Sequence, residues 1–364
     1  MHCASLGEFE QGRPVLEALK AQYPQYQVAL SFFSPSGYEI RKNYPQADFV
    51  FYLPVDSPKN AKRLLGMLNP QLVLWVKYEY WYYFLTEINK RNIPLLLISG
   101  IFRKSQPFFR WYGGLWLKML ACFTRLFVQN QTSVELLESI DVKGYELAGD
   151  TRFDRVISVA ASSPGIPAIE HWLRGRRALV AGSTWEEDII ELSHFVQKRK
   201  DLAFIIAPHE ILEENIKKIT RVFPQSVLYS RLSQSNPGDG DAHVLIIDNI
   251  GMLSVLYRYG EVCFVGGGYS ANGVHNVLEA AVYGKPVCFG PEHEKFQETI
   301  DLLTCGGAFS PENPLDLEKE LSKLFSNKSA LDAAGLAAGK YVREKQGATK
   351  KILDYIQRNR LLTN

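Results

Sequence analysis

GVHNVLEAAVYGKPVCFGP, residues 273–291, combines a turn opened by glycine, a helix, a second turn and a buried strand in one short unit. The predicted helix buries one apolar face, formed by Val277, Leu278, Ala281 and Val282. Its first turns also carry His275, Asn276 and Glu279, which packing alone does not require. The segment therefore predicts a unit of an α/β fold and a polar group that needs a functional explanation.

Short apolar runs of the same kind alternate with helical patterns over most of the chain. Before residue 150 they are QVALSFF, FVFYL, LVLWV, PLLLIS and RLFVQN, and after it ALVAGS, AFIIAP, VLIID, VCFVGGG and PVCFG. Such continuous runs are typical of strands in a parallel sheet covered by helices on both faces. A chain of 364 residues with 46% hydrophobic residues can bury two cores. We predict two doubly wound, Rossmann-like α/β domains.

The domain junction is predicted in GDTRFDRVISVAASSPGIPAIE, where a polar turn leads into a Ser-, Pro- and Gly-containing stretch. We place the boundary at residue 158, which gives domains 1–158 and 159–364. Residues 231–243, RLSQSNPGDGDAH, predict an exposed loop because they combine turn formers without periodicity. The final segment is helical in pattern, and we expect the C-terminal helix to pack back on the first domain.

Composition excludes several classes of protein. With 41 basic and 39 acidic residues, the chain lacks the positive charge of a broad nucleic-acid surface. Five cysteines without CxxC spacing indicate a reducing cytoplasm. No apolar run reaches the roughly 18–20 residues of a membrane span. The opening HCASLGEFE is typical of a strand end and loop, not of a secretory leader, and predicts that residues are missing upstream.

Three loops have the composition of ligand-binding loops at the carboxyl ends of parallel strands. In CASLGEFEQGRP, Gly7 permits a tight turn and Glu8 lies at a helix start, where a carboxylate is also an ordinary partner of the helix dipole. In VGGGYSANGVHNVLEA, glycines 266–268 follow a buried strand but match only the looser GxGxxA pattern, which is equally typical of a structural turn. AGSTWEED predicts a helix N-cap at Ser183 or Thr184, with Glu187 in a capping box.

Two further segments reach the same sheet edge. IIAPHE places Pro208 and His209 there, although a lone histidine is commonly structural, and IDNIGML places residues 250–252 there. Glu279 is suited to accept hydrogen bonds from the two hydroxyls of a ribose. The seven histidines form no HxxxH or HxH pair, and the Asp239–Asp241 pair lies in the predicted exposed loop, so no metal site is expected. No GxSxG elbow supports a serine hydrolase.

Five segments, in order along nearly the entire chain, resemble the bacterial 3-deoxy-D-manno-octulosonic acid (Kdo) transferase family: SLGEFEQGRP, YEYW, GDTRFD, AGSTWEED and GVHNVLEAAVYGKPVCFGP. The resemblance implies a GT-B glycosyltransferase, with two Rossmann-like domains facing a central cleft. It implies transfer of Kdo from CMP-Kdo to a lipid A precursor, with an N-terminal acceptor domain and a C-terminal donor domain. The implied location is the cytoplasmic face of the bacterial inner membrane, with no cofactor and no metal.

The resemblance also implies roles for individual residues. Glu8 matches the proposed general base, and Glu79 and Arg152 match positions thought to stabilise the transition state. The residues implied to bind the nucleotide donor are Pro208, His209, Ile250, Gly251, Met252, Gly267, Gly268, Asn276, Val277, Leu278 and Glu279.

Three positions depart from the family pattern. Lys77 stands where the family commonly has a glutamate, Tyr82 stands where it has a proline, and an arginine usual beside His209 is absent. The first departure changes the local electrostatics, and the last weakens the assignment of the nucleotide pocket. The family also usually begins with a membrane-anchoring helix.

Two other functions remain open on the sequence. Another GT-B enzyme that uses a UDP-sugar, a transferase or an epimerase, would keep the fold and the role of Glu279. A two-lobed binding protein without catalysis would have no need of Glu8. A separate hypothesis concerns IFRKSQPFFRWYGGLWLK, residues 101–118, whose interleaved basic and aromatic residues predict either a core helix with a basic edge or a surface for a phosphorylated lipid.

Overall fold

The computed structural model describes residues 1–234 and 242–363, which divide into two compact units. The first unit comprises Met1–Arg155 and Lys345–Asn364, and the second comprises Val156–Glu344. The predicted boundary at residue 158 lies inside the helix Thr151–Ser162, which also contains the division between the units.

The first unit is built on a seven-stranded parallel sheet. Its strands are β1 (His2–Cys3), β2 (Ala29–Phe32), β3 (Phe49–Tyr52), β4 (Val73–Val76), β5 (Leu95–Gly100), β6 (Arg125–Val128) and β7 (Tyr145–Leu147). The order is β3-β2-β1-β4-β5-β6-β7, so the direction of winding reverses between β1 and β4. In such sheets, ligands bind at this topological switch point, beyond the carboxyl ends of the strands.

Helices cover both faces of this sheet. They are α1 (Leu6–Gln22), α2 (Pro35–Arg41), α3 (Pro58–Leu68), α4 (Tyr82–Lys90), α5 (Gly114–Leu120), α6 (Gln131–Glu138), the start of α7 (Thr151–Ser162) and α16 (Ala348–Arg358), with a 3₁₀ turn at Pro107–Phe109. Ser5, Ser57 and Asn130 cap their helices by accepting a backbone N–H. Ile352 and Ile356 of α16 lie in the same buried cluster as Phe9 and Phe127, so the C-terminal helix contributes to the core of the first unit.

The second unit has its own seven-stranded parallel sheet, in the order β10-β11-β9-β8-β12-β13-β14. The strands are β8 (Ala178–Thr184), β9 (Ala203–Pro208), β10 (Ser226–Leu228), β11 (Val244–Ile246), β12 (Val262–Val265), β13 (Val287–Cys288) and β14 (Ala308–Phe309). The helices are α8 (Pro167–Leu173), α9 (Glu186–Lys198), α10 (Glu213–Val222), α11 (Leu253–Leu256), α12 (Leu278–Ala281), α13 (Gln297–Thr304), α14 (Pro314–Ser326) and α15 (Lys328–Glu344), with 3₁₀ turns at Tyr229–Gln234 and Tyr257–Tyr259. Here winding reverses between β8 and β12.

These observations confirm the α/β class and the two doubly wound parallel sheets. All ten predicted apolar runs contain strands, because each was long enough to stand out from the helical pattern. The prediction that His275 and Asn276 lie in the first turns of this helix is wrong: α12 begins only at Leu278, and Asn276 precedes it with its side-chain oxygen accepting the N–H of Leu278 at 3.2 Å.

The predicted cap of α9 is also wrong. Strand β8 continues through Thr184, so Trp185 is the N-cap residue, and the carboxylate that accepts its N–H belongs to Asp188 instead of Glu187. Of the predicted loop at 231–243, residues 231–234 form part of a 3₁₀ turn, and Asp239 and Asp241 lie outside the described residues. Within the described residues, none of the helices has both the length and the apolar character required to cross a bilayer.

Candidate functional site

Each unit places two polar loops at the switch point of its sheet. In the first unit, β1 leads into the start of α1 with Glu8, and the neighbouring strand β4 leads into Lys77, Tyr78 and Glu79. In the second unit, β8 leads into the start of α9, and the neighbouring strand β12 leads into the loop that begins with glycines 266–268, here called the glycine loop. The fold therefore supplies one candidate site in each unit.

Glu8 lies in the first turn of α1 and is only 7% exposed. Its carboxylate accepts the backbone N–H of Ala4, and its own N–H faces the hydroxyl of Ser5 at 3.4 Å. Burial raises the pKa of Glu8 to about 7, and the negative charge of Glu79 adds to this effect, while the N–H of Ala4 opposes it. A carboxyl group that titrates near neutral pH is suited to accept a proton from a substrate.

Glu79 is held by two tryptophans in the loop after β4. The indole N–H of Trp81 donates to its carboxylate at 2.9 Å, and that of Trp75 donates to its backbone carbonyl at 2.6 Å. Burial raises the pKa of Glu79, and the hydrogen bond from Trp81 opposes the shift. Lys77, two residues earlier, has φ +61°, a left-handed conformation that is uncommon for a lysine and that turns the chain sharply at the end of β4.

Arg152 lies in the first turn of α7 and forms an ion pair with Asp150 at 2.7 Å. Asp150 also accepts the backbone N–H of Arg152 at 2.9 Å, which fixes the side chain relative to the helix start. The charges of Arg152 and Glu8 both act on the hydroxyl of Tyr78. The structure thus brings the three predicted catalytic residues, Glu8, Glu79 and Arg152, to one edge of the first sheet.

In the second unit, a buried carboxylate joins the two loops at the switch point. Asp188 accepts the N–H groups of Trp185 and Gly267, each at 2.8 Å. Burial raises the pKa of Asp188 to about 6, and these hydrogen bonds, with one from the N–H of Tyr269, counteract the effect. The glycine loop is therefore fixed to the start of α9 through Asp188.

The glycines of this loop are required by the packing of the protein itself. Gly267 has φ +94°, and a Cβ there would lie 2.4 Å from the carbonyl oxygen of Gly273. A Cβ on Gly268 would lie 2.5 Å from the backbone nitrogen of Gly290. Close approach of backbone to backbone explains both residues, so they do not by themselves indicate a phosphate.

Three aromatic rings stack beside this loop. The centroid of His209 lies 4.7 Å from that of Trp185 and 4.3 Å from that of His275, and the indole N–H of Trp185 donates to Nε2 of His275 at 2.9 Å. Burial lowers the pKa of His275 to about 4 and also lowers that of His209. The imidazole of His275 is therefore neutral at physiological pH, and the stack brings His209 next to the predicted segment 276–279.

The remaining predicted donor residues differ in how they can contact a ligand. Asn276 donates to the carboxylate of Glu279 at 3.0 Å, and both side chains are half-buried. Val277 and Leu278 have no exposed side-chain surface, so only their backbone could meet a nucleotide. Pro208 is buried at the end of β9, whereas residues 250–252 form the turn between β11 and α11, in which Ile250 is 89% exposed.

Sequence reasoning missed three residues that the structure places in these clusters: Tyr78, Trp185 and Asp188 were not predicted as site residues. Trp185 and Asp188 had a visible signal, because they directly follow a buried strand in AGSTWEED, but capping accounted for that segment. Among residues 1–234 and 242–363, no group of three or more His, Cys, Asp or Glu side chains is arranged to hold a metal ion.

Comparison with known proteins agrees with the sequence resemblance. A sequence model of the family described as 3-Deoxy-D-manno-octulosonic-acid transferase (kdotransferase) matches residues 1–155. A 3-deoxy-D-manno-octulosonic acid transferase from Haemophilus influenzae is 23% identical over 385 aligned positions, covering 99% of this chain and 87% of the relative. One from Aquifex aeolicus is 28% identical, covering 91% and 87%. The predicted resemblance to the Kdo transferase family is confirmed, and the chain is a glycosyltransferase.

Solved structures support the fold. A putative UDP-N-acetylglucosamine 2-epimerase from Listeria monocytogenes superposes with a TM-score of 0.66 at 15% identity, covering 100% of this chain and 96% of that one. MurG from Acinetobacter baumannii gives a TM-score of 0.59 at 13% identity, with 98% of each chain covered. Likeness at such low identity shows the fold alone, and it confirms the predicted GT-B fold.

Proposed function

We propose that this glycosyltransferase moves Kdo from CMP-Kdo to a lipid A precursor in lipopolysaccharide biosynthesis. Relatives with Kdo transferase names align over almost the whole chain, which supports the sugar assignment. The observation that carries the catalytic part is Glu8, a buried carboxyl group at the switch point of the first sheet whose pKa is raised to about 7.

The proposed reaction is a single displacement with inversion. A hydroxyl oxygen of the acceptor attacks the anomeric carbon of Kdo, and the bond from that carbon to the phosphate oxygen of CMP breaks, with CMP taking the electron pair. The hydroxyl proton passes to the carboxylate of Glu8, because a neutral sugar hydroxyl is a poor nucleophile. Glu79 and Arg152 are proposed to stabilise charge in the transition state, and the scheme has no step that uses a metal.

The second unit is the proposed donor site. Residues 276–279 and the ring stack of Trp185, His209 and His275 lie at the carboxyl edge of its sheet, where nucleotides bind in doubly wound folds. Glu279 is proposed to accept hydrogen bonds from the ribose. Pro208, the turn at 250–252 and the loop of Gly267 and Gly268 are proposed to complete the nucleotide pocket.

The proposed location is the cytoplasmic face of the inner membrane, through peripheral contact. Residues 101–118 are neither one core helix nor wholly exposed: Phe102 and Phe108 are buried, whereas Trp111 is 96% exposed. Tyr112 and Leu115 are exposed beside it, as are the basic residues Lys104, Arg110 and Lys118. Aromatic and basic groups on one surface suit acyl chains and anionic headgroups together.

Transfer is tested with labelled CMP-Kdo and lipid IVA, with products separated by mass. An increase equal to one or more Kdo units supports the proposal, and the number of added units is read directly. UDP-sugars offered under the same conditions test the alternative of a UDP-dependent GT-B enzyme. A protein that transfers from a UDP-sugar, or that shows no transfer with intact fold and bound CMP, contradicts the proposal.

A further inference from the structure

Two basic side chains lie beside the ring of Tyr78 in the first unit. The ammonium of Lys77 is 5.1 Å from its ring centroid, and the guanidinium carbon of Arg103 is 5.3 Å from it. Both distances are within the ~6 Å range of a cation–π interaction. The tyrosine is half-buried and Arg103 is exposed, so the ring anchors a guanidinium that remains open to solvent.

This arrangement places two positive charges beside one aromatic ring. An aromatic ring has no net charge, and the hydroxyl of Tyr78 takes up only part of the five N–H donors of Arg103, so the exposed guanidinium keeps its charge and further donors for another group. The backbone also contributes, since the left-handed conformation of Lys77 turns the chain at the end of β4. A planar guanidinium in a fixed orientation suits phosphate or carboxylate oxygens.

The cluster adjoins the proposed catalytic base. Lys77 follows β4, which pairs with β1 at the switch point, and Arg103 follows β5, the next strand in the sheet. The positive charge of Lys77 lowers the pKa of Glu8, and the carboxylate of Glu8 faces the backbone N–H of Tyr78. An anion held by this cluster would therefore lie close to the hydroxyl that loses its proton to Glu8.

We propose that the exposed guanidinium of Arg103, held at Tyr78 with the positive charge of Lys77 beside it, binds an anionic group of the acceptor and so selects acceptors that carry a phosphate or carboxylate near the reacting hydroxyl. This inference rests on the proposed function and adds the chemistry of acceptor recognition to it. The anion has two possible sources: a phosphate of the lipid A precursor, or the carboxylate of a Kdo residue already transferred.

The test measures initial rates against acceptor and against CMP-Kdo for Arg103→Met, Lys77→Met and the charge-preserving Lys77→Arg. Loss of one hydrogen-bonded ion pair at a partly exposed site should raise the acceptor KM about tenfold, with the CMP-Kdo KM within about twofold of the unmodified value. Lys77→Arg should retain a near-normal acceptor KM. Lys90→Met, an exposed lysine at the end of α4, is the matched control and should change neither KM.

Three acceptors separate the sources of the anion. If a phosphate is bound, the variants lose affinity for lipid IVA but match the unmodified protein on dephosphorylated lipid IVA. If a carboxylate is bound, they lose affinity only for lipid IVA that already carries one Kdo. Unchanged acceptor KM values in folded variants, or a rise confined to the CMP-Kdo KM, overturn the inference alone. Absence of transfer by the unmodified protein refutes the proposed function and this inference with it.

Discussion

The carboxylate of Asp188 accepts the backbone N–H of Gly267 at 2.8 Å, so the start of α9 and the loop after β12 share one buried anion. The N–H of Trp185 donates to the same oxygen. Because β8 and β12 flank the switch point of the second sheet, this bond fixes the shape of the loops where the donor is proposed to bind.

Asp188→Asn should weaken donor binding. Its amide oxygen can take the place of Oδ2, but it accepts the N–H groups of Trp185 and Gly267 without a negative charge, so the glycine loop should be held less firmly. The CMP-Kdo KM should rise, while the acceptor KM stays near normal because Asp188 lies in the other unit. Steady-state kinetics measure both KM values, and urea unfolding checks that the variant is folded.

Glu187→Gln is the control for Asp188→Asn, because Glu187 is exposed in the same helical turn. Glu187→Gln should change neither the CMP-Kdo KM nor the acceptor KM appreciably. A fully stable Asp188→Asn protein with an unchanged CMP-Kdo KM would show that the glycine loop holds its shape without this carboxylate.

The sequence predicts more of the fold than of the candidate site. Continuous apolar runs such as VLWV and AFIIAP predict buried strands, but β7, β10 and β14 have only two or three residues each, too short for any periodic signal. The start of α12 could not be predicted, because Asn276 lies just before the N-cap residue Val277 and its side-chain oxygen accepts the N–H of Leu278. This bond is not visible in the sequence.

The site clusters depend on contacts that sequence spacing does not encode. Glu8 was visible because it follows a glycine in a short loop, whereas Arg103 meets Tyr78 only because β4 and β5 are neighbours in the sheet. Trp185, His209 and His275 come from three separate loops whose strands end at one edge. Strand order was not readable from the sequence, so these groupings required the structure.

Cytidine nucleotides should stabilise the protein more than uridine nucleotides. A ligand that binds only the native state adds about 2.7 kcal/mol at a hundredfold excess over its dissociation constant. CMP is therefore expected to raise the melting temperature, and UDP to raise it much less. Equal shifts, or a larger shift with UDP, would favour a UDP-sugar enzyme over the proposed donor.

Exposed basic and aromatic residues in the segment 101–118 should contribute to binding of anionic membranes. Replacing Lys104 and Arg110 with serine removes about 2 kcal/mol of attraction at ~1 kcal/mol per basic residue, or about 30-fold in affinity. Adding Trp111→Ser should weaken binding further, since this ring is 96% exposed. Flotation with anionic liposomes measures the change.

Lys90→Ser with Lys143→Ser is the control pair, because both lysines are exposed in the first unit outside this segment. The pair should float like the unmodified protein. Equal losses in both double variants would indicate a general effect of net charge and would remove the segment from membrane contact. Arg103 is left intact in these variants because its guanidinium lies over Tyr78.

Glu8→Gln should stabilise the protein, increasingly so as pH rises. The pKa of Glu8 rises from 4.5 to about 7 on folding, so the native state keeps its proton between these values while the unfolded state loses it. Stability conferred by protonated Glu8 is therefore present below pH 4.5 and lost as pH rises through 7. Glutamine does not titrate and avoids this loss.

Melting temperatures of the two proteins should accordingly be similar near pH 5 and diverge by pH 8, with Glu8→Gln higher. Glu135→Gln, an exposed position on α6, should show no such divergence. A carboxylate that served only as a helix-dipole partner would behave in the opposite way, because its removal would lower stability where it is ionised.

Ionisation of Glu8, which lowers stability, should raise turnover. As general base, Glu8 must be ionised, so kcat/KM should fall about tenfold per pH unit below pH 7, where its pKa lies. Glu8→Gln should fold and bind CMP normally but lose about 10²- to 10⁴-fold in kcat, since glutamine is nearly isosteric and accepts no proton. The acidic limb should disappear from the residual activity. A variant that retains more than about a tenth of the unmodified turnover, or that keeps the acidic limb, would assign the proton to another group and leave Glu8 as a partner of the α1 helix dipole.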